Sequence, residues 1–272
     1  MERIAVELSG VPETLLGNLG RRAAAARAGA LQDPLAVEIV DRLEYDFTVF
    51  ARGARAHAVR VATVDGAVRR FLKAYPAATV VALGEGLETQ FWRVDNGQLR
   101  WLTVDVPETM QLRHRLLPDG PRQSSHCGSA LDLGWMDGLD SSEPLLVTAQ
   151  GLLPYFRREE VHRLIAAIAQ RLPGSVMVFD CVPEAMLNLV RRASGRERDL
   201  AVTLWTWLFS ARERAAISAI PGVEELRDLA PPLRLDLTSL GIAAVGRLPQ
   251  RLRYSLPVFP ILQARFRATS AG

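Results

Sequence analysis

Short apolar runs that end at polar residues or glycine recur through the middle of the chain. Five of them are predicted as strands, at residues 79–83, 99–104, 124–131, 144–149 and 175–179. Apolar runs of this length are typical of parallel strands that are buried on both faces of a sheet. We therefore expect a sheet whose strands lie side by side in the core.

Between these runs the apolar spacing changes to that of helices. Two segments each place four apolar side chains on one stripe: Val64, Val68, Phe71 and Leu72 in 63–74, and Val161, Leu164, Ile165 and Ile168 in 157–171. Helices are also predicted from residue 13 to residue 42, with a break at Asp33-Pro34, because proline cannot continue a helix interior. Strands that alternate with helices predict an α/β protein with a doubly wound, mostly parallel sheet of the Rossmann-like kind.

Changes of rhythm divide the chain into four predicted parts. Residues 1–75 form an N-terminal helical segment that packs on the core and covers its ligand, and residues 76–182 form the Rossmann-like core. Residues 183–232, with the aromatic stretch 204–209, are predicted as a helical cap on the acceptor side. Residues 233–272 are expected to supply the final strands of the sheet.

Composition narrows the class of protein. Hydrophobic residues make up 49% and charged residues 23% of the chain, as in soluble globular proteins. Without a long apolar run or a secretory signal, we expect a cytoplasmic protein with no membrane partner. The net charge is only +3 and the arginines are scattered, so no nucleic-acid partner is expected. Cys127 and Cys181 show no metal-ligand spacing, and no metal is predicted.

Candidate binding residues follow the predicted strands. Gly84 and Gly86 come after the first strand, Asp105 after the second, Asp132 after the third, and Gln150 with Gly151 after the fourth. Ligands of open parallel sheets bind beyond these carboxyl ends. Asp105 suits the two hydroxyls of a ribose, and Asp132 suits the base edge. The alternative is that both acids only cap helices.

The turn itself indicates which nucleoside is bound. A dinucleotide site usually has a third glycine, at the position that Thr89 occupies here. Glu85 and Glu88 would repel a pyrophosphate, whereas a sulfonium that carries an ammonium group would be attracted. This charge argument favours S-adenosylmethionine over a nicotinamide cofactor.

At this point the chain resembles a known family. Residues 80–93, VVALGEGLETQFWR, resemble the glycine motif of the leucine carboxyl methyltransferase family, and in particular its branch of small-molecule O-methyltransferases from bacterial secondary metabolism. Residues 13–16, 31–36, 101–108 and 148–156 resemble further motifs of the family, in the same order. The ordered set is much more specific than any single motif.

The resemblance implies a class I methyltransferase fold, with S-adenosyl-L-methionine as cofactor and S-adenosyl-L-homocysteine as product. The cofactor-binding residues that it implies are Arg60, Gly84, Glu85, Gly86, Glu88, Asp105, Val106, Asp132, Leu133, Gln150 and Gly151. Among these, Arg60 would grip the cofactor's carboxylate. Three positions depart from the family: Glu88 stands where it usually has Asp, Gln90 where it has Arg, and Gln150 where it has Glu.

Residues that would act on the methyl acceptor are less specific. Tyr155 is a candidate for hydrogen bonding to the acceptor, and His126 is a candidate base. A carboxylate acceptor needs no base, whereas a hydroxyl is helped by one. Trp205, Trp207 and Phe209 are candidates for an aromatic acceptor pocket beneath the cap. For each of these residues, packing is the alternative role.

The sequence alone leaves several functions open. The sequence favours an enzyme that methylates a carboxyl or hydroxyl oxygen of a small, aromatic or polyketide-like acceptor. A protein C-terminal carboxyl methyltransferase and a non-catalytic binding or assembly protein are alternatives, and Gln150 motivates the second of these. A nicotinamide-dependent oxidoreductase is disfavoured by Thr89 and the acidic turn. The acceptor's identity and the oligomeric state, monomer or homodimer, cannot be predicted.

Overall fold

A seven-stranded sheet forms the centre of the protein. The computed structural model of the chain describes residues 3–6, 8, 10–118, 120–192, 204–232 and 237–268. In these residues the strands are β1 (Ile4–Ala5), β2 (Leu43–Glu44), β3 (Thr79–Leu83), β4 (Arg100–Asp105), β5 (Gln123–Cys127), β6 (Leu145–Ala149), β7 (Val176–Asp180), β8 (Val223–Asp228) and β9 (Ile261–Phe266). The seven strands of the large sheet lie in the order β5-β4-β3-β6-β7-β9-β8, and β1 pairs with β2 separately.

Helices cover the sheet and extend beyond it. They are α1 (Thr14–Arg27), α2 (Pro34–Arg42), α3 (Ala54–Ala74), α4 (Gln90–Val94), α5 (Pro107–Leu116), α6 (Arg158–Arg171), α7 (Glu184–Arg191), α8 (Ala211–Ser218), α9 (Leu237–Gly246) and α10 (Gln250–Arg253). Strands β3 to β7 run parallel to one another, and β9 runs antiparallel to both β7 and β8. The predicted doubly wound, mostly parallel sheet is therefore confirmed.

Alternate residues of the central strands bury opposite faces of the sheet. On β3, Val81 packs in the cluster that includes α6, whereas Val80 packs in the cluster that includes α3. This alternation follows from the two-residue period of a strand. A third cluster joins α1 and α2 to α5, so the N-terminal helices lie against the part of the sheet that follows β4.

The break between the first two helices lies where the sequence predicts it. Asp33 precedes α2, and its Oδ1 accepts a hydrogen bond from the backbone N–H of Ala36 at 3.1 Å. Pro34 is the first residue of α2, where a missing N–H leaves no hydrogen bond unmade. Helix α3, by contrast, begins nine residues before the predicted start, because Ala54, Ala58 and Val61 continue its buried stripe against α1.

The region predicted as a helical cap differs in two places. Residues 205–209 are extended: Thr206 and Trp207 donate their backbone N–H groups to the carbonyl oxygen of Pro154, at 2.8 and 3.1 Å. In a helix these N–H groups would donate to carbonyl oxygens four residues earlier. Because they donate to the distant Pro154 instead, the helix predicted there is wrong. Strand β8 also lies inside this region and pairs with β9. Residues 193–203 and 233–236 of the predicted cap and tail lie outside the described residues.

Candidate functional site

A cavity opens beyond the carboxyl ends of β3, β4 and β6. Its volume is about 390 Å³, within the range of small-molecule sites, about 300–1,000 Å³. The turns after the three strands form its floor, and residues at the start of α1, including Leu15 and Asn18, form its roof. The described part of the chain holds no cluster of three or more His, Cys, Asp or Glu side chains arranged for a metal ion. None of its helices is long and apolar enough to cross a membrane.

The turn after β3 needs its glycines. Gly84 and Gly86 have φ angles of 58° and 56°, in the left-handed region. A Cβ atom on Gly84 would lie 2.6 Å from the Cδ1 of Leu152, and one on Gly86 would lie 3.3 Å from the Cβ of Leu15. The two glycines therefore let the backbone turn sharply between the floor and the roof of the cavity.

Asp105 ties the end of β4 to this turn. Its Oδ2 accepts a hydrogen bond from the N–H of Gly86 at 2.6 Å, and its Oδ1 accepts one from the N–H of Val106 at 2.8 Å. Burial raises the pKa of the Asp105 carboxyl, and the two backbone donors oppose that rise. Each carboxylate oxygen keeps a further lone pair, so Asp105 can still accept from two hydroxyls at the cavity.

Glu85 lines the cavity, but its carboxylate is already engaged by other side chains. Its carboxylate accepts hydrogen bonds from Trp101 Nε1 and Thr103 Oγ1, and it lies 3.1 Å from Arg113 Nη2. Burial raises the pKa of Glu85, which the charge of Arg113 counteracts. Glu85 thus serves as the buried anchor of the glycine turn.

Glu88 is also paired with arginines. It lies 2.9 Å from Arg22 Nη1 and 2.8 Å from Arg93 Nη1. Burial by itself raises the pKa of Glu88, but the charges of Arg22 and Arg93 outweigh it and lower the pKa to about 2. The expectation of two free carboxylates facing a cationic ligand is therefore wrong, because arginines already neutralise Glu85 and Glu88.

Arg60 approaches the cavity from α3. Its Nε lies 2.5 Å from Asp180 Oδ2, and Asp180 Oδ1 accepts a hydrogen bond from the N–H of Gly151 at 2.6 Å. An Nη2 atom of Arg60 lies 3.2 Å from the place where a Cβ on Gly151 would be. Asp180, at the end of β7, thus fixes both the guanidinium and the turn after β6.

Two of the departures from the family pattern touch each other. Gln150 Nε2 donates to Gln90 Oε1 at 3.0 Å, and Gln90 Nε2 donates to Asp65 Oδ1 at 2.8 Å. The Oε1 atom of Gln150 is buried and has no hydrogen-bond partner. Gln150 also lines the cavity, so this end of it presents an unsatisfied acceptor.

The remaining predicted residues separate into two groups. Tyr155 lines the cavity next to Phe156, close to the turn at Gly151. His126 does not line it: His126 pairs in register with Val104, inside β5, and lines a separate groove of about 540 Å³ with Arg100 and Trp135. Its Nε2 lies 3.1 Å from the position of a Cβ on Gly128, which does line the cavity, so His126 stands behind the cavity wall and not in it.

Asp132 and Leu133 stand one layer behind the cavity. Asp132 Oδ2 lies 3.9 Å from the position of a Cβ on Gly128, a residue that does line the cavity. Leu133 packs against the main core cluster, and its carbonyl oxygen accepts a hydrogen bond from Arg171. Among the described lining residues, Gly128, Ser129 and Ala130 take the place predicted for this pair.

The three aromatic candidates for an acceptor pocket have other roles. Trp207 and Phe209 are 2% and 1% exposed and pack in the main core cluster. Trp205 lies edge-on to Phe259, with ring centroids 6.4 Å apart. None of the three is among the described residues that line the cavity.

Sequence reasoning missed two buried arginines of the site, Arg22 and Arg113. Arg22 donates to the carbonyl oxygen of Leu87 at 2.6 Å, and Arg113 donates to that of Gly86 at 2.7 Å. Each stands on an otherwise apolar helix stripe, and Arg22 comes three residues after Leu19. A charged residue within an apolar stripe is the signal that would have found them.

Comparison with known proteins matches the chain to one family. Residues 17–169 match the family model for leucine carboxyl methyltransferase. The sequence is 33% identical over 183 residues to the tetracenomycin polyketide synthesis O-methyltransferase TcmP of Streptomyces glaucescens, covering 65% of this chain and 68% of that protein. It is 26% identical over 250 residues to the S-adenosyl-L-methionine-dependent methyltransferase dpfgK of Gibberella zeae, covering 82% of this chain and 83% of that protein.

A solved structure shares the fold at low sequence identity. The plantazolicin methyltransferase BamL, in complex with a triazolic desmethylPZN analog and SAH, superposes with a TM-score of 0.56 at 11% identity. The match covers 93% of this chain and 98% of that chain. At this identity the likeness shows the fold alone.

Fold and cavity define a Rossmann-like protein of the class I methyltransferase type, with a nucleoside-sized cavity at the strand ends. The chain belongs to the leucine carboxyl methyltransferase family, a family of S-adenosylmethionine-dependent methyltransferases. The resemblance that the sequence motifs indicate is thereby confirmed.

Proposed function

We propose that this protein transfers a methyl group from S-adenosylmethionine to a carboxyl or hydroxyl oxygen of a small, aromatic or polyketide-like acceptor. One observation carries the proposal: a single cavity places the Asp105 carboxylate, the Arg60 guanidinium and the unpartnered Oε1 of Gln150 around one space. These groups are complementary to the ribose hydroxyls, the carboxylate and the ammonium group of the cofactor.

The residues present therefore fit the cofactor that the family uses. Asp105 would accept from the ribose hydroxyls, and Arg60 would pair with the carboxylate, held in place by Asp180. Glu85 and Glu88 would act through the backbone, because their carboxylates secure the turn at Gly86. When bound, the cofactor supplies a methyl group on a sulfonium that is already activated for transfer.

The proposed acceptor side of the cavity is largely apolar and includes the Tyr155 hydroxyl. Leu152, Tyr155 and Phe156 line the cavity beyond the Gly151 turn, and Val11 and Pro12, just before α1, also line it. Apolar walls exclude water and hold a flat acceptor so that one of its oxygens faces the methyl donor. Tyr155 is the residue proposed to hydrogen bond to that acceptor.

Two features support a small molecule over a protein C-terminus as acceptor. The cavity is roofed by α1, which leaves a space suited to a compact ligand. The relative TcmP is named for polyketide synthesis, which favours a small acceptor. The family model is named for a leucine carboxyl group, which is the reason a protein carboxylate is kept as the second candidate. We therefore place a small aromatic acceptor first and a protein carboxylate second.

The first experiment is calorimetric titration with S-adenosylhomocysteine, with NADH as the competing ligand. We expect the protein to bind S-adenosylhomocysteine and not NADH. Asp105→Ala should weaken binding by about tenfold to 100-fold, since hydrogen bonds to a charged group contribute about 1.5–3 kcal/mol. Asp41→Ala is the matched control, because Asp41 is exposed and forms a surface ion pair with Arg27, away from the cavity. Absence of binding by the folded wild-type protein would refute the proposed function.

A second experiment identifies the reacting oxygen. Wild-type protein and Tyr155→Phe are incubated with methyl-labelled cofactor and a panel of aromatic carboxylic acids and phenols. Label that alkaline hydrolysis releases is in an ester, and label that resists it is in an ether. If Tyr155 contacts the acceptor, Tyr155→Phe raises KM for the acceptor while cofactor affinity is unchanged. A C-terminal peptide carboxylate in the same panel tests the alternative, and cofactor binding without transfer to any acceptor would favour a non-catalytic role.

A further inference from the structure

A chain of buried polar side chains leads from the core to the cavity. Arg93 donates through Nε to Asp65 Oδ2 at 2.8 Å and through Nη2 to Asp65 Oδ1 at 3.1 Å. Asp65 in turn accepts from Gln90, and Gln90 accepts from Gln150. We call Asp65, Gln90 and Gln150 the amide relay. Asp65 is 2% exposed and Gln90 is 0% exposed, so water does not compete for these contacts.

The relay has a fixed direction because it starts at a carboxylate. A carboxylate paired with an arginine can only accept hydrogen bonds, so Gln90 must turn its amide nitrogen toward Asp65. The Oε1 of Gln90 then faces Gln150 and accepts from its amide nitrogen. Only the Oε1 of Gln150 is left, and this buried acceptor of a cavity-lining residue has no hydrogen-bond partner.

A glutamine that stood alone at this place could turn either its oxygen or its nitrogen to the ligand. The two orientations have opposite meanings: the oxygen accepts from an ammonium group, whereas the nitrogen repels it. The relay removes this freedom, because reversing Gln150 would oppose its carbonyl oxygen to that of Gln90. The identity of a residue that does not line the cavity therefore decides what the cavity binds.

We propose that Asp65 and Gln90 are positioning residues that hold Gln150 as a hydrogen-bond acceptor for the ammonium group of the cofactor. This inference rests on the proposed function. It adds that the amide relay enables the cavity to recognise the amino-acid end of the cofactor. Gln150 needs no charge for this task, since its orientation is fixed in advance. The hydrogen bond between the two glutamines gives them one joint role, in which Gln90 orients and Gln150 binds.

The test compares two ligands that share a nucleoside. S-adenosylhomocysteine carries the amino-acid end, and 5′-methylthioadenosine lacks it. Gln90→Met keeps the volume but removes both amide contacts. We expect it to weaken S-adenosylhomocysteine by about tenfold or more, while the affinity for 5′-methylthioadenosine changes less than about twofold. Gln170→Met, an exposed glutamine on α6, is the matched control.

A double-mutant cycle shows whether Gln90 acts through Gln150. If it does, Gln90→Met causes no further loss of S-adenosylhomocysteine affinity in a Gln150→Met background. Losses that add, or equal losses for both ligands, would overturn the inference and leave Gln90 a packing residue. A wild-type protein that binds neither ligand refutes the proposed function itself, whereas one that binds S-adenosylhomocysteine with unchanged affinity in Gln90→Met refutes only the relay.

Discussion

Arg113 Nη1 donates a hydrogen bond to the carbonyl oxygen of Gly86 at 2.7 Å, from a helix that follows the neighbouring strand. The same nitrogen donates to the carbonyl oxygen of Glu88 at 2.9 Å, and Nη2 lies 3.1 Å from Glu85. One buried guanidinium thus holds three residues of the glycine turn, Glu85, Gly86 and Glu88. The planar fork of arginine makes this possible, since lysine offers a single point of charge.

Replacing Arg113 should therefore be severe. Arg113→Leu leaves the Glu85 carboxylate buried without its cation, and breaking such a pair costs about 3–5 kcal/mol. Arg113→Lys should be less severe, because it keeps the charge. Urea denaturation measures both, with Arg115→Ala on the exposed side of α5 as the control, expected within about 0.5 kcal/mol of wild type. A loss below about 1 kcal/mol for Arg113→Leu would contradict this role.

Replacing a glycine by alanine should have opposite effects on stability at Gly84, in the turn, and at Gly66, in a helix. Gly84→Ala should destabilise the protein by about 1–2 kcal/mol, because its φ of 58° disfavours a side chain. It should also weaken S-adenosylhomocysteine binding, since Leu152 must move and Leu152 lines the cavity. Gly66→Ala, inside α3, should instead stabilise by about 0.5–1 kcal/mol. Thermal unfolding and calorimetry measure the two effects, and similar results for both variants would refute the conformational argument.

Glu88 predicts how stability depends on pH. Its pKa is lowered from 4.5 to about 2 in the folded protein. Its stabilising contribution is thus present above the unfolded value and is lost as the pH falls toward the folded one. The advantage of wild type over Glu88→Gln should shrink by about 1 kcal/mol between about pH 5 and about pH 3.5. Urea denaturation at both pH values tests this, with Glu38→Gln, an exposed position, as the control. A difference that does not change with pH would contradict the ion pairs.

Much of the core could be predicted from local patterns. The run 79–83 coincides with β3 because it is apolar, short and ends at Gly84, whose conformation no strand continues. The order of strands and helices then required a parallel sheet. Residues 205–209 could not be predicted in the same way, since an aromatic run suits a helix or a strand. Contact with Pro154, which lies far away in sequence, decides between them.

The sequence could locate the site, but it could not predict the directions in which the side chains of the site point. Spacing placed Asp105, Gly84, Gly86 and Gln150 at one edge of the sheet, where the structure has them. It could not tell that Glu85 turns inward to Trp101, because side-chain direction within a tight turn depends on partners from other elements. The assignment of each residue to a part of the cofactor stays a prediction until ligand binding is measured.

The position of β9 has a consequence for how the protein is made. Although β9 follows β8 in the chain, it lies between β7 and β8 and pairs with both. During synthesis β8 therefore leaves the ribosome before the strand that connects it to the sheet exists. Until residues 261–266 emerge, β7 is an open edge, of the kind that other unfolded chains can join. A polypeptide that stops before Ile261 therefore lacks β9 and leaves β8 without its partner strand, so the sheet loses two strands.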